Sequence, residues 1–163
     1  MDITVVEGDI THQDVDAIVN AANERMRGGG GVDGAIHRAA GRGLYDECVE
    51  RFPHGLPTGE AGWTHGHALP ARWVIHVVGP IYGVQKRSRL VSCYANALRV
   101  ADSLEVESIA FPLVSAGIYG WPLEDAIAAA VDTLRSTPTT VASARMVAFG
   151  RSTYDAIADY LAG

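Results

Sequence analysis

Five apolar runs rich in β-branched residues punctuate the chain at Ile3–Val6, Ala17–Ala21, Trp73–Val78, Ile109–Val114 and Met146–Phe149, each of a length suited to a buried strand. They are near-continuous rather than alternating, the pattern of strands covered on both faces in a mainly parallel sheet. Segments of helical period lie between them. Leu90, Tyr94, Ala97, Leu98 and Ala101 share one helix face, and Ile127, Ala130, Val131 and Leu134 share another. Pro122, Glu124 and Asp125 stand where the second of these helices should start, with Arg135 toward its far end. At the C-terminal end Ser152 and Asp155 have capping-box spacing ahead of the stripe Tyr154, Ile157, Ala158 and Leu161. Alternating strands and helices predict an α/β/α sandwich around a central sheet. With 163 residues, of which 48% are hydrophobic and 20% charged, a single folding unit is the expectation. A globule near this size hides roughly 68–70% of its unfolded surface, so it needs no metal or disulfide staples.

Thirteen Lys and Arg face nineteen Asp and Glu, a formal charge of −6 without a basic tail or stripe, which disfavours non-specific nucleic-acid binding. Cys48 and Cys93 lie in helix-like stretches without CxxC spacing and read as reduced core thiols of a cytoplasmic protein. No apolar run approaches the roughly 20 residues of a membrane span, and the opening MDITVVEGDIT has no signal-peptide character.

In open α/β sheets, ligands collect beyond the carboxyl ends of strands, so residues directly after the strand signals carry most information. Asn20 to Asn23 follow the second run, and Gly28 to Gly31 then precede a helix containing Val32, Asp33 and Gly34. Each glycine loses about 0.5–1 kcal/mol relative to Ala in regular structure, so such a run suits a phosphate approaching the main chain at a helix N-terminus. A flexible loop is the alternative. The negative overall charge repels a diphosphate, so attraction has to come from local N–H groups. Gly29, Gly31 and Gly34 also satisfy G-x-G-x-x-G with Glu50 near the acidic position of a nicotinamide-dinucleotide domain. Glu24 to Arg27 separate strand from glycine, however, and that fingerprint needs a sharper turn.

A second strand–loop–helix passage runs from Leu113 through Ser115, Ala116, Gly117, Ile118 and Tyr119 to Pro122. It resembles a nucleophile elbow at Ser115, but Leu113 replaces the first glycine of G-x-S-x-G, and a second phosphate-facing loop accounts for it better. Asp9, after the first strand, could accept from an exocyclic amine or simply begin a turn. His65 and His67 would share one strand face, where surface or structural roles outweigh metal binding because no third ligand is near in sequence. His76 reads as a core histidine. Phe149 and Tyr154 read mainly as core, although an aromatic at the final strand's end could stack on a base for about 1–3 kcal/mol.

Together these motifs resemble a macrodomain of the MacroD type. The residues that carry the likeness are Gly8 to Thr11, Asp16 to Asn23, Gly28 to Gly41, Thr58 to Ala61, Leu69 to Ala71, Val74 to His76, Gly79-Pro80 and Ser115 to Gly120, nearly the whole chain in family order. The resemblance implies one macrodomain over residues 1–163, a three-layer α/β/α sandwich with a mixed, mainly parallel sheet, and an ADP-ribose pocket. It further implies metal-independent hydrolysis, without a cofactor, of mono-ADP-ribosyl esters on acidic side chains or of O-acetyl-ADP-ribose. Asp9 and Ile10 would recognise adenine, with Phe149 or a neighbour over its face. Gly28, Gly29, Gly30 and Gly31 with Val32, and Ser115, Ala116, Gly117, Ile118 and Tyr119, would wrap the diphosphate, and Asn20 would join the ligand contacts. Asn23 would hold the distal ribose, Asp33 would position or deprotonate water, and His37 would support it.

Implied partners are ADP-ribose and ADP-ribosylated proteins, with ADP-ribosylated nucleic-acid ends as further candidate substrates, and the expected state is a monomer. Ala116 and Tyr119 stand where the family often has Thr and Phe. The Glu-Glu pair of poly(ADP-ribose) glycohydrolases and the Cys and His set of zinc-containing macrodomains have no counterpart in the sequence. Rival readings are an ADP-ribose reader without turnover, a phosphatase for ADP-ribose 1″-phosphate and, more remotely, a nicotinamide-dependent oxidoreductase.

Overall fold

The computed structural model describes residues 1–163. Six strands form one sheet: β1 (Asp2–Glu7), β2 (Ala17–Ala22), β3 (Ala61–His65), β4 (Trp73–Val78), β5 (Ser108–Phe111) and β6 (Ser143–Ala148), in the order β1-β6-β5-β2-β4-β3. Every pairing is parallel except that of the edge strand β3 with β4. Helices α1 (Gly31–Ala40) and α2 (Arg42–Arg51) cover one face, whereas α3 (Arg87–Ser103), α4 (Leu123–Ser136) and α5 (Arg151–Ala162) cover the other. This is the expected α/β/α sandwich with a mixed, mainly parallel sheet.

The two-sided cover explains the unbroken apolar runs. In β2, Ala17 and Val19 enter the core under α3 and α4, and Ile18 and Ala22 enter the core under α1 and α2. In β4, Ile75 and Val77 face the first core and Val74 and Val78 the second. All the apolar positions named above on α3 and α4 are buried.

Three expectations need correction. β5 stops at Phe111 rather than Val114, because Pro112 has no amide to continue the ladder. β6 stops at Ala148, leaving Phe149 94% exposed instead of in the core. The Ser152–Asp155 capping box does not form: α5 is preceded by Gly150 at φ 105°, Ser152 already lies inside the helix, and Asp155 meets Arg151 at 3.3 Å.

Candidate active site

Parallel pairing brings the carboxyl ends of β1, β6, β5, β2 and β4 to one edge of the sheet. Asp9, Phe149, the loop after β5, Asn23 and Gly79 follow these ends in turn. A cleft of about 330 Å³ lies along this edge. It is lined by Asn23, Gly30, Gly31, Val32 and Asp33 from the β2–α1 segment, and by Ser115, Gly117, Ile118 and Tyr119 from the loop after β5. No Lys or Arg lines it.

Two runs of main-chain donors flank the cleft. None of the amides from Gly28 through Asp33 has an acceptor within the protein, and the N-cap Gly30 supplies no side-chain bond. Across the cleft the amides of Ser115, Gly117, Ile118 and Tyr119 are equally unspent, while Gly120 N donates to Gly117 O and Trp121 N to Ser115 O to hold the loop's curve. Opposed rows of free N–H groups, one of them at the positive end of α1, form a cradle for an anion.

Ser115 adopts φ 67°, the left-handed region expected of an elbow, but its Oγ donates to Pro80 O at 2.7 Å. The hydroxyl is a structural tie. A Cβ on Gly79 would collide with this hydroxyl and with Val114, so the glycine after β4 lets the two strand ends approach. Gly79 and Pro112 also line the cleft, and the sequence signal for them is no more than a glycine or proline immediately after a strand run.

Asp33, on the first turn of α1, is 4% exposed. Its Oδ1 accepts from Asn20 Nδ2 at 2.8 Å and lies 3.5 Å from His37 Nε2, while Oδ2 has no partner. Burial pushes its pKa up, against the Asn20 hydrogen bond and the His37 charge, which pull it down. Asn23 is tied by Nδ2 to Gly28 O and by Oδ1 to Arg25 N. A Cβ on Gly29 would stand 3.3 Å from both Asn23 Nδ2 and Asp33 Oδ2, so these polar ends converge beside the glycine run. Gly28 packs against the His37 ring, behind rather than along the cleft.

Asp9 serves a turn and remains half-available. Its Oδ1 accepts from Thr11 N at 2.9 Å and Thr11 Oγ1 at 2.7 Å, and Oδ2 has only His12 at 3.7 Å. These Thr11 bonds, side chain first, lower its pKa. Ile10 buries its side chain in the α1–α2 core and leaves its amide without an internal acceptor. Asp9, Ile10 and Phe149 sit at the β1–β6 end of the edge, beyond the cleft lining. Ala116 is half-buried and packs inward, away from the lining. Asn20 is fully buried beneath Asp33 and does not reach the cleft, so the expected ligand contact is replaced by a supporting one.

His65 and His67 do not share a strand face. His65 ends β3, His67 sits in the following turn at φ 53°, and both rings converge on Glu47 of α2, at 3.0 and 2.8 Å. His76 is buried in β4, between Asn20 and Thr64.

A sequence profile of the Macro domain matches residues 19–130. A macro domain-containing protein of Streptomyces nogalater is 50% identical over 96% of this chain and 90% of its own, and one from Streptomyces coelicolor is 49% identical over 96% of both. Among solved structures, an Oceanobacillus iheyensis macrodomain with ADP superposes at TM-score 0.93 with 39% identity, covering 97% of this chain and 88% of that one. A Trypanosoma brucei macrodomain in complex with ADP-ribose superposes at 0.90 with 39% identity, covering 98% and 68%. Strand order, the glycine-opened helix and these likenesses over nearly the whole length agree: the chain belongs to the macro domain family.

Proposed function

We propose that residues 1–163 act as one macro domain that binds ADP-ribose and hydrolyses mono-ADP-ribosyl esters on acidic protein side chains, and O-acetyl-ADP-ribose. The observation that carries this reading is the pair of unspent amide runs facing each other across a cleft lined at its foot by a carboxylate with one buried, unpartnered oxygen. Bound ADP-ribose in the Trypanosoma brucei relative supports the choice of ligand. β1 and β2 are three strand steps apart, about 14 Å at the usual spacing, a span suited to a nucleoside diphosphate joined to a second sugar. Adenine sits at Asp9, Ile10 and Phe149, and the diphosphate lies between the two amide rows. The 98% exposed Ile118 and 94% exposed Phe149 on the rim gain cover from the ligand.

The distal ribose then rests by Asn23 and Asp33. In a glycosyl ester, water held by Asp33 adds at the anomeric carbon, the bond from that carbon to the acyl oxygen breaks, and the carboxylate departs. Asp33 takes the proton from water and releases it to solvent. Burial raises its pKa, which strengthens its ionised form as a base, and a carboxylate leaving group needs no strong nucleophile, so positioning does most of the work. The buried, unpaired thiols of Cys48 and Cys93 support a cytoplasmic setting. No helix is long and apolar enough to cross a membrane.

The test pairs two measurements on the purified chain and on Asp33→Ala: titration with ADP-ribose, and release of ADP-ribose from a glutamyl- or aspartyl-modified protein. Binding with release that disappears in Asp33→Ala is the expected result. Binding without release in either chain makes the protein a reader, and phosphate release from ADP-ribose 1″-phosphate with intact esters makes it a phosphatase. Absence of binding removes the ligand.

A further inference from the structure

A continuous buried hydrogen-bonded chain runs from the edge of the sheet to Asp33. Thr64 on β3, His76 on β4 and Asn20 on β2 are fully buried and lie on neighbouring strands. Thr64 Oγ1 is 2.9 Å from His76 Nε2, His76 Nδ1 is 3.1 Å from Asn20 Nδ2, and the same Nδ2 donates to Asp33 Oδ1 at 2.8 Å. Burial, followed by the His37 charge, pushes His76 down to about 3, so its ring is neutral near pH 7. Facing an NH2 group, Nδ1 has to accept, and the ring proton sits on Nε2 and is donated to Thr64 Oγ1. Both amide protons of Asn20 are thereby spoken for, one by Asp33 and one by His76.

We propose that His76, seated by Thr64, is a positioning residue that acts through Asn20 to hold the Asp33 carboxylate. The inference rests on the hydrolase reading for its kinetic consequence but not for its structural content. Flipping the Asn20 amide would set its oxygen against Asp33 Oδ1, a repulsive contact in a dry interior, and would force the His76 proton onto Nδ1 with Thr64 as donor to Nε2. With the amide so fixed, Asp33 is held by Oδ1 alone, and Oδ2 stays a buried atom without a partner. Phe52 packs edge-on against the His76 ring at 6.1 Å, and Gly62, the register partner of His76, leaves the space that Phe52 fills. Other groups electrostatically coupled to Asp33 are His37 on its own helix, Cys48 from α2 and Tyr119 from the loop after β5.

The experiment compares His76→Phe, which keeps the ring and deletes the acceptor, with His76→Asn, which can return an acceptor near the Nδ1 position. Three readouts are taken: kcat and KM for ester cleavage, the dissociation constant for ADP-ribose, and the carboxyl titration of Asp33 followed by carbon-13 NMR. In His76→Phe, kcat falls about 10- to 100-fold while KM and ADP-ribose affinity stay within about twofold, and the Asp33 titration moves upward as its Asn20 partner loosens. His76→Asn restores most of both.

Wild-type kcat together with an unmoved titration in His76→Phe overturns the proposal. Equal loss of kcat and affinity, with no rescue by Asn, overturns it in favour of a purely structural role. Should His76→Phe not fold, Thr64→Val loosens the ring with little change of volume and shifts the Asp33 titration in the same direction, and an unmoved titration there is equally fatal. If the wild-type chain cleaves no ester at all, the hydrolase reading falls while the titration still decides the role of His76.

Discussion

Two carboxylates on consecutive helices of the same face, Asp33 on α1 and Glu47 on α2, are treated in opposite ways. Glu47 is saturated: Oε1 takes His67 Nε2 and His65 N, and Oε2 takes Arg51 Nε at 2.6 Å and His65 Nδ1 at 3.0 Å. Burial alone would raise its pKa, but the donors from His67, Arg51 and His65 overcome burial and hold it at about 2. Asp33 has one hydrogen bond, one bare oxygen and a pKa pushed upward. Both carboxylates are largely shielded from water, so the number of donors separates them. Glu47 braces α2 to β3, and Asp33 is left with one oxygen unpaired at the foot of the cleft.

The largest effect expected from this contrast is on rate. Asp33→Asn keeps the acceptor for Asn20 and removes the base, so ester cleavage falls about 10²–10⁴-fold with ADP-ribose affinity nearly unchanged. Single-turnover assays and calorimetry separate the two. A rate comparable to that of wild type would make Asp33 another brace.

Glu47→Gln comes next and affects stability alone. It keeps the shape and removes the charge that His67, Arg51 and His65 address, a loss of about 2–3 kcal/mol at pH 7 in denaturant unfolding, with kcat intact. The sign with pH follows from the lowered pKa. The Glu47 contribution is fully present above its ordinary value of 4.5 and is lost as pH falls toward about 2. Wild type should therefore lose stability faster than Glu47→Gln across that window, and parallel curves would show that the saturated carboxylate contributes nothing.

Asp9→Ala has an effect of similar size, read in binding. If its free Oδ2 receives the adenine amine, ADP-ribose weakens by about 1.5–3 kcal/mol, roughly 10- to 150-fold in Kd, and an unchanged Kd places the nucleotide elsewhere.

What can be read from the sequence tracks how local each feature is. The strands β2 and β4 stand out because both faces are buried, and the glycine run stands out because four glycines in succession are costly unless backbone approach or positive φ, as at Gly28 and Gly31, requires them. β3 does not, since it is an edge strand with mostly partial burial and only Trp63 and Thr64 to mark it. The roles of Asn20 and His76 are invisible for a different reason. The contact between them joins residues 56 apart and exists only through the parallel register of β2 with β4, which places Asn20 opposite His76. The same blindness hides Glu47 between His65 and His67. Spacing suggests a shared face, whereas the positive φ at His67 turns the second ring toward α2.

The smallest effect tests whether the unpaired oxygen of Asp33 carries a stability cost. A carboxyl whose pKa is higher folded than unfolded binds its proton more tightly in the native state. Ionising it above the ordinary value of 3.8 therefore disfavours folding, and wild-type stability declines as pH rises through the folded pKa. The amide introduced by Asp33→Asn has no proton to lose. The variant should match wild type at pH values below that ordinary value and become more stable by about 0.5–2 kcal/mol once wild-type Asp33 is ionised, the range seen for single stabilising substitutions. Because Glu47 is present in both chains, its own acid transition cancels from the difference. A variant less stable than wild type above the folded pKa would mean that the ionised carboxylate finds donors that a neutral amide at the same position cannot engage, and Asp33 would then belong with Glu47 as a structural ion.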